Sequence, residues 1–350
     1  MPNEVGNLFN LRFLSLRSTK VKVLPKSLAS LQNLQTLDLR NCSAEKLPSG
    51  VRKLYNLRHL LISRSGKNDI WLPMQTVPRE IFTLKHLQTL QRIVSNNEVV
   101  RHVGNLMQIR SLAIVEVSET DGIELCASIK RMRFLHQLYV QAIEKGEGFL
   151  ELNSIDTPPP FLEKLCLRAR LRAAPSGGWL DWFSSLTNLR VLILRSSGLS
   201  ADPLPTFQYL PNLTHLDLRK AYNGEELCFK GDGFTSLRKL CLFDLSQLSQ
   251  IKIEERAMQS LQRINLVRCV KLKTLPQGIE YLTKLQVLQL KEMPNELLES
   301  MRGQGVSHKK ISRIPLVRHF TQSDGKWTLE NFLQPGVFSV DKAPRIHQPS

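Results

Sequence analysis

The sequence predicts an α/β solenoid in which a parallel β-sheet lines a concave face, with short helices, 3₁₀ turns and loops on the convex face. Three observations predict it. A leucine pattern, L-x-x-L-x-[LIV], recurs along most of the 350 residues. Its copies begin 22 to 30 residues apart, a period typical of stacked repeats. A second apolar ladder, L-P-x-x-[VI]-x-x-L, lies between copies, as at residues 47–54 and 275–282.

The strands are predicted from the leucine pattern. Its apolar residues alternate with others, so the leucines face a shared core and the intervening residues face the concave surface. The pattern occurs in twelve copies, which indicates a leucine-rich-repeat horseshoe over residues 1–291. The copies begin at Leu11, Leu34, Leu57, Leu87, Ile109, Leu135, Leu162, Leu189, Leu213, Leu237, Leu261 and Leu285.

The connections between strands are predicted from the second ladder. Its three-residue steps indicate a helical or 3₁₀ turn on the convex side, and proline fits the start of that turn, where its missing N–H is not needed. The residue eight positions after the first leucine of a copy has a side chain that can bond to the backbone of the turn leaving the strand. Thr19, Cys42, Ser197 and Cys269 occupy this position, which gives the two cysteines a structural role.

The period is interrupted at residues 64–76, 142–160 and 169–182. These insertions are expected to form loops at one edge, either as binding loops or as tolerated surface insertions. Residues 292–350 are expected to form a C-terminal cap and a loose tail. The first residues, from Met1 to Leu11, already follow the repeat frame. We therefore expect a truncated chain, or one whose preceding domain covers the apolar end.

The composition of the chain limits the classes of partner and the cellular compartments to be expected. The formal net charge is +17 and the pI about 9.8, so acidic proteins, nucleic acids and anionic lipids would be attracted. Nucleic acid is less favoured, because no aromatic stacking series accompanies the charge. The six cysteines lie far apart without a CxxC pair, and no signal peptide or apolar run long enough to span a membrane occurs. The sequence therefore predicts a cytoplasmic protein, with the inner face of the plasma membrane as a second location.

The motifs of common enzymes are missing from the sequence. It has no G-x-x-x-x-G-K-[ST], H-E-x-x-H or G-x-S-x-G, and its eight histidines are scattered. We expect no catalysis, no cofactor and no metal. His59 and His215 are expected to be solvated surface residues, and Cys166 and Cys241, which lie between strand leucines, to be exposed thiols.

The concave face is the candidate binding surface. In six copies the residue after the third apolar strand residue is basic: Arg17, Arg40, Arg168, Arg195, Arg219 and Lys291. Asp38 and Asp217 would neutralise part of this row, so a partner site and an ordinary charged surface are both open. Four apolar residues are predicted to be exposed on the same face and favour a contact surface: Phe13, Leu61, Ile193 and Phe243.

The stretch from Ser196 to Met293, with LPNLTHLDLRKAYNGEELCF, GFTSLRKLCL and CVKLKTLPQGIEYLTKLQVLQL, resembles the leucine-rich-repeat region of plant coiled-coil NB-ARC disease-resistance proteins. The opening PNEVGNLFNLRFLSLR, MPNEL at 293–297 and DGKW at 324–327 fit as well, whereas residues 95–180 match more weakly. Arg256 stands where the family usually has glycine and Gln259 where it usually has proline.

The resemblance implies a module that follows a coiled coil and a nucleotide-binding domain, both absent from this chain. In that family the region holds the nucleotide-binding switch off and helps to sense pathogen effectors, directly or through a guarded host protein. The leading hypothesis is thus a recognition and autoinhibition module in plant defence, with Arg17 and Arg40 facing an acidic surface of the switch. A general intracellular scaffold is second, an extracellular receptor ectodomain third. A further alternative, a substrate-selecting subunit of a ubiquitin ligase, would need an adaptor-binding motif upstream of these repeats.

Overall fold

A computed structural model describes residues 1–65, 71–72, 77–143, 149–150, 152, 154–171, 181–302, 306–323, 326–333 and 336–340. The chain divides into two compact units, Met1–Leu186 and Thr187–Ser350. Each unit contains a stack of leucine-rich repeats whose strands follow one another in parallel.

Unit 1 is built on a parallel sheet whose strands follow in the order β1-β2-β3-β6-β7-β8-β10. Two small pairs lie outside it, β4 with β5 and β9 with β11. The strands are β1 (Phe13–Ser15), β2 (Thr36–Asp38), β3 (His59–Leu61), β4 (Arg64–Ser65), β5 (Trp71–Leu72), β6 (Thr89–Val94), β7 (Ser111–Val117), β8 (Gln137–Ala142), β9 (Phe149–Leu150), β10 (Lys164–Arg168) and β11 (Arg170–Leu171).

In unit 1 prolines stand at the start of the 3₁₀ turns that connect the strands, as the sequence predicts. Pro25, Pro48 and Pro78 are the N-caps of the 3₁₀ helices Lys26–Ser30, Ser49–Lys53 and Arg79–Thr83. Further 3₁₀ helices are Asn3–Asn7, Val103–Asn105 and Asp181–Ser185. Two repeats use α-helices instead, α1 (Asn97–His102) and α2 (Glu119–Lys130). The side chains of Asn96 and Ser118 cap them by accepting hydrogen bonds from backbone N–H groups.

Unit 2 has a sheet in the order β12-β13-β15-β17-β18-β19-β20-β21 and a second parallel pair, β14 with β16. The strands are β12 (Val191–Arg195), β13 (His215–Arg219), β14 (Glu226–Phe229), β15 (Lys239–Phe243), β16 (Gln250–Ile253), β17 (Arg263–Val267), β18 (Val287–Lys291), β19 (Leu316–Ser323), β20 (Lys326–Asn331) and β21 (Gly336–Val340). The helices are α3 (Leu204–Phe207), α4 (Asn295–Met301), α5 (Val306–Ile311) and the 3₁₀ helix Ile279–Tyr281.

The leucines of the pattern form the core, as predicted. Leu216 and Leu218 of β13 are fully buried, and the strand pairs in register with β12 and β15. Each of the twelve copies coincides with one parallel strand of the two sheets. The two structural cysteines are buried too, and the Cys42 thiol lies 3.3 Å from the Val21 carbonyl oxygen.

In several repeats a polar side chain joins the turn before the strand to the turn of the preceding repeat. The Asn33 amide donates to the carbonyl oxygen of Phe9, and the Asn56 amide to that of Gln32, both at 3.0 Å. The Asn212 amide donates to the Thr187 carbonyl oxygen at 2.8 Å in unit 2. These hydrogen bonds fix neighbouring turns relative to each other.

The sheet of unit 2 continues beyond the last leucine copy, into the segment expected to be a cap and tail. β19 pairs in parallel with β18, and β20 and β21 follow in antiparallel pairing. The leucine pattern misses them because β20 carries half-buried residues at most of its positions rather than a fully buried leucine face. Residues 341–350 lie outside the described residues.

The predicted insertions are described only in part. Residues 66–70, 73–76, 144–148, 151, 153 and 172–180 lie outside the described part of the chain, so the loop predictions stay predictions. Where the chain is described, no helix has the length and apolar character needed to cross a membrane.

Candidate protein-binding surface

We call the sheet face opposite the leucine core the open face. In unit 2 it carries the first, third and fifth residues of each strand of β12, β13, β15, β17, β18 and the parallel β19, because side chains alternate along a strand. Six of these residues are cations: Arg195, Arg219, Lys239, Arg263, Lys291 and Arg318. The face is therefore strongly basic.

Two of these cations lie over aromatic rings. The guanidinium carbon of Arg219 is 4.6 Å from the ring centre of Phe243, and the Lys291 ammonium nitrogen is 4.1 Å from the Trp327 ring centre. Such cation–ring contacts hold a long side chain in place on the sheet. Burial lowers the pKa of Lys291 from its ordinary value.

Asp217 is the one carboxylate among the open-face positions of these six strands, and it is 0% exposed. Burial raises its pKa to about 6, although Arg219, Arg195 and Lys239 attract its charge. The carboxylate is thus ionised less completely near neutral pH than a solvated aspartate. Most of this carboxylate is still ionised at pH 7, so Asp217 offsets about one of the six positive charges and the face keeps an excess of cations.

The prediction that Ile193 and Phe243 are exposed apolar residues is wrong. They lie on the open face, yet they are only 4% and 3% exposed. Phe243 packs with Cys241 and Val267 and is covered by Arg219. A sheet places neighbouring side chains of one face close together, so large residues cover each other. The open face of unit 2 therefore presents cations above a buried apolar layer.

In unit 1 the residues predicted to bind a partner differ in their exposure. Arg17 is exposed, and Phe13 is 60% exposed on the first strand. Leu61 and Arg168 are half-buried. The structure does not bring these four residues together into one cluster, since Phe13 and Arg17 belong to the first repeat, Leu61 to β3 and Arg168 to β10.

Arg40 is half-buried and bound to Asp38. Its Nε lies 2.9 Å from Oδ1 of Asp38, and its Nη2 lies 2.6 Å from Oδ2. Burial alone would raise the pKa of Asp38, but the hydrogen bonds and charge of Arg40 outweigh burial and hold that pKa below its usual value. The predicted neutralisation is confirmed for this pair, so Arg17 is the more available of the two predicted cations.

Sequence reasoning missed five basic residues of the open faces. Lys164, Lys239 and Arg263 are the first residues of β10, β15 and β17, and reading that position of every copy would have found them. Arg318 lies on β19, outside the leucine pattern. Arg92 has a left-handed backbone (φ 57°), and its guanidinium carbon lies 4.7 Å from the Tyr139 ring centre. The pairing of β6 with β7 shifts register beside it, which no sequence signal predicts.

A thiol, an imidazole and an amide meet on the open face of unit 2. Cys241 Sγ lies 3.8 Å from Nε2 of His215, and the Asn265 amide donates to the same sulfur at 3.2 Å. The arrangement resembles a nucleophile with its base, but Cys241 is fully buried and burial raises its pKa to about 12. A thiol of this kind is not a nucleophile near neutral pH. The cluster is structural.

Three further residues differ from their predicted exposure. Cys166 is buried, and His59 and His215 are half-buried rather than solvated. His59 Nδ1 is 3.0 Å from the Thr89 hydroxyl of the neighbouring strand, and burial lowers the pKa of its imidazole. Cross-strand neighbours cover these side chains. Within the described residues no group of three or more His, Cys, Asp or Glu side chains is placed to hold a metal ion.

These repeats define a leucine-rich-repeat protein, a class whose sheet surface typically serves protein interaction rather than catalysis. The family described as "Leucine-rich repeat region" matches residues 2–273. The chain belongs to this family.

Similar curated proteins are disease-resistance proteins of Arabidopsis thaliana. The chain is 34% identical to Disease resistance protein RPM1 over 273 residues, which cover 76% of this chain and 28% of RPM1. It is 29% identical to Disease resistance protein RPP8 over 330 residues, covering 91% of this chain and 34% of that protein. The chain thus spans about a third of the length of these relatives.

Solved structures share the fold. An LRR protein of Leptospira interrogans, LIC12759, aligns with a TM-score of 0.56 and 22% identity, covering 90% of this chain and 80% of that one. The plant peptide hormone receptor RGFR1, solved in complex with RGF2, aligns with a TM-score of 0.52 and 18% identity, covering 85% of this chain and 51% of the receptor.

Proposed function

We propose that this chain is a protein-recognition module in plant defence that binds acidic surfaces of its partners through the open faces of its sheets. The observation that carries the proposal is the open face of unit 2, which carries six cations and a single carboxylate at the open-face positions of its six strands. Unbalanced charge of one sign attracts a partner of the other sign and speeds its association. The similarity to disease-resistance proteins supports the defence setting.

The partners that fit this proposal are of two kinds. A pathogen effector or a guarded host protein would occupy the open face of unit 2. The nucleotide-binding domain of a full-length receptor would contact the first repeats of unit 1 through Arg17 and Arg40, which would make the module autoinhibitory. Arg17 supports this second contact because it is exposed, whereas Arg40 already pairs with Asp38.

We place this activity in the cytoplasm, with the inner face of the plasma membrane as a second location. None of the six cysteines is bonded in a disulfide, and five of them are buried. Thiols of this kind persist in a reducing compartment.

The autoinhibitory contact is tested by titrating the separately expressed nucleotide-binding region of RPM1 into this chain at low and at high salt. We expect binding that weakens with salt, and that weakens about tenfold in Arg17→Glu, because one attractive contact becomes repulsive. Arg313→Glu, which reverses an exposed arginine of unit 2, is the matched control and keeps the affinity of the unaltered chain. A chain that ignores the nucleotide-binding region at both salt concentrations contradicts the autoinhibitory role and supports a free scaffold.

A further inference from the structure

The turns that precede the strands of unit 1 expose large apolar side chains in alternate repeats. Phe9, Tyr55 and Met107 open the turns of the first, third and fifth repeats, and they are 65%, 60% and 63% exposed. The repeats between them carry Gln32 and Lys85 at this position. Exposed apolar groups of this size in a regular series indicate a contact surface.

A second alternation accompanies the first. Three residues after each of these apolar residues stands an exposed arginine: Arg12, Arg58 and Arg110. The intervening repeats have Gln35 and Gln88 there. Within the described residues none of the three arginines forms an ion pair with a carboxylate. From the first to the sixth repeat, neither turn position carries an acidic residue.

The backbone holds these turns in a fixed order. The carbonyl oxygen of Arg12 accepts hydrogen bonds from the N–H groups of Gln35 and Thr36, and that of Arg58 accepts from Gln88 and Thr89. The asparagine hydrogen bonds between successive turns add to this ladder. Because neighbouring strands lie about 4.8 Å apart, alternate repeats present their apolar and basic pair about every 10 Å.

A helix matches this spacing. Seven residues of α-helix rise about 10.5 Å and return to nearly the same face. An amphipathic helix with an apolar residue at every seventh position, and an acidic residue beside each, would place one apolar group on each of Phe9, Tyr55 and Met107 and one carboxylate near each arginine. The charge of the three arginines selects an acidic helix over a neutral or basic one.

We infer that the pre-strand turns of unit 1, with Phe9, Tyr55, Met107, Arg12, Arg58 and Arg110, form a docking strip for an acidic amphipathic helix of a partner protein. The six residues of the strip lie in the turns before the strands and not on the open face. It therefore acts independently of the proposed recognition by that face, and its test does not depend on that proposal.

The probe is a synthetic helical peptide of about 20 residues, long enough to span three repeats. It has leucine at every seventh position and glutamate three residues after each leucine, on an otherwise polar, alanine-rich background. A scrambled peptide of the same composition is the reference. Fluorescence anisotropy with the full chain is expected to show binding of the patterned peptide that is at least tenfold tighter than that of the scrambled one.

Two variants of the strip and two matched controls decide the inference. Tyr55→Ala and Arg58→Glu are each expected to weaken binding of the patterned peptide about tenfold. Tyr209→Ala and Arg238→Glu alter an exposed tyrosine and an exposed pre-strand arginine of unit 2, and should leave the affinity unchanged. Equal affinity for the two peptides, no binding of either, or patterned-peptide affinity unaffected by Tyr55→Ala and Arg58→Glu overturns the docking strip.

Discussion

Asp38 and Asp217 occupy the same position in two copies of a Leu-Asp-Leu-Arg motif and are both buried, yet hydrogen bonds from Arg40 hold the pKa of Asp38 below its usual value while burial raises the pKa of Asp217 to about 6. The same local sequence thus shifts the pKa of the two aspartates in opposite directions. The desolvation of Asp217 outweighs the attraction of its neighbouring cations, whereas the hydrogen bonds and charge of Arg40 outweigh the burial of Asp38.

The first prediction concerns Asp217→Asn. The folded pKa of Asp217 exceeds that of an unfolded aspartate, so ionisation destabilises the fold as the pH rises from about 4 to about 6. The asparagine variant escapes this penalty and is expected to gain about 2–3 kcal/mol in the free energy of unfolding above pH 6, with no gain near pH 4. Urea unfolding at several pH values measures it; a gain that is equal at both ends of the range would contradict the account.

Asp38→Asn should behave in the opposite way. The folded pKa of Asp38 is lowered, so its ionised form stabilises the fold at neutral pH, and that contribution is lost as the pH falls through the folded pKa. We expect a loss of about 1 kcal/mol at pH 7, since Arg40 is partly solvated. The same urea series tests this, and a variant as stable as the parent at pH 7 would show that the pair contributes nothing.

Arg256→Gly is expected to stabilise the protein. Arg256 has a left-handed backbone with φ 71°, which side chains disfavour and glycine adopts freely. Its ion pair with Asp232 is solvated on both sides and contributes little. We expect a gain of about 0.5–1 kcal/mol in thermal or urea unfolding. Gly278→Ala is the reverse control, because an added Cβ there meets the Ile253 carbonyl at a left-handed φ of 79°; a loss of stability in Arg256→Gly would count against this reading of the turn.

Arg268 joins three successive repeats through Asp244 and Glu292. Arg268→Met retains the apolar stem but removes both ion pairs, so we expect a loss of about 1 kcal/mol at low salt that shrinks as salt is added. Thermal melts at two salt concentrations provide the measurement. Lys284→Met, an exposed control in the same unit, should leave the melting temperature nearly unchanged; a loss in Arg268→Met that ignores salt would assign the effect to packing instead.

The leucine core itself is tested by Leu216→Ala. Leu216 is fully buried in β13 between two neighbouring strands, so the substitution should cost about 2–5 kcal/mol. Val23→Ala, at a residue 74% exposed, is expected to change stability by less than about 0.5 kcal/mol. Calorimetry that finds the two variants equally stable would refute the strand assignment.

The sequence was sufficient to predict the repeats because the core dictates their periodicity. Every copy from Leu11 to Leu285 became a strand, and the prolines at 25, 48 and 78 precede 3₁₀ turns. Burial on the open face was not predictable in the same way, because a residue such as Phe243 is covered by Arg219 and Val267 of neighbouring strands. Those contacts depend on register and not on the local pattern.

The C-terminal strands and the bulges escaped prediction for a related reason. β19 continues the sheet without a full leucine copy, and β6 and β7 shift register within otherwise regular repeats. A strand outside the repeats is defined by the strands it pairs with, and a bulge by one unpaired residue, so neither leaves a period in the sequence.

The central claim is that the cations of the open face of unit 2 select acidic protein segments. It is tested most directly by selecting binders from a random peptide library at low salt to the full chain carrying Arg58→Glu, which weakens the docking strip, and re-measuring each on chains with further charge reversals. We predict that the selected peptides are acidic and bind at least tenfold more weakly to the double variant Arg195→Glu with Arg263→Glu. They should bind unchanged to the control Arg238→Glu with Arg313→Glu, which reverses two exposed arginines outside the open face. Neutral or basic binders, or acidic ones that bind both double variants equally, would contradict the claim.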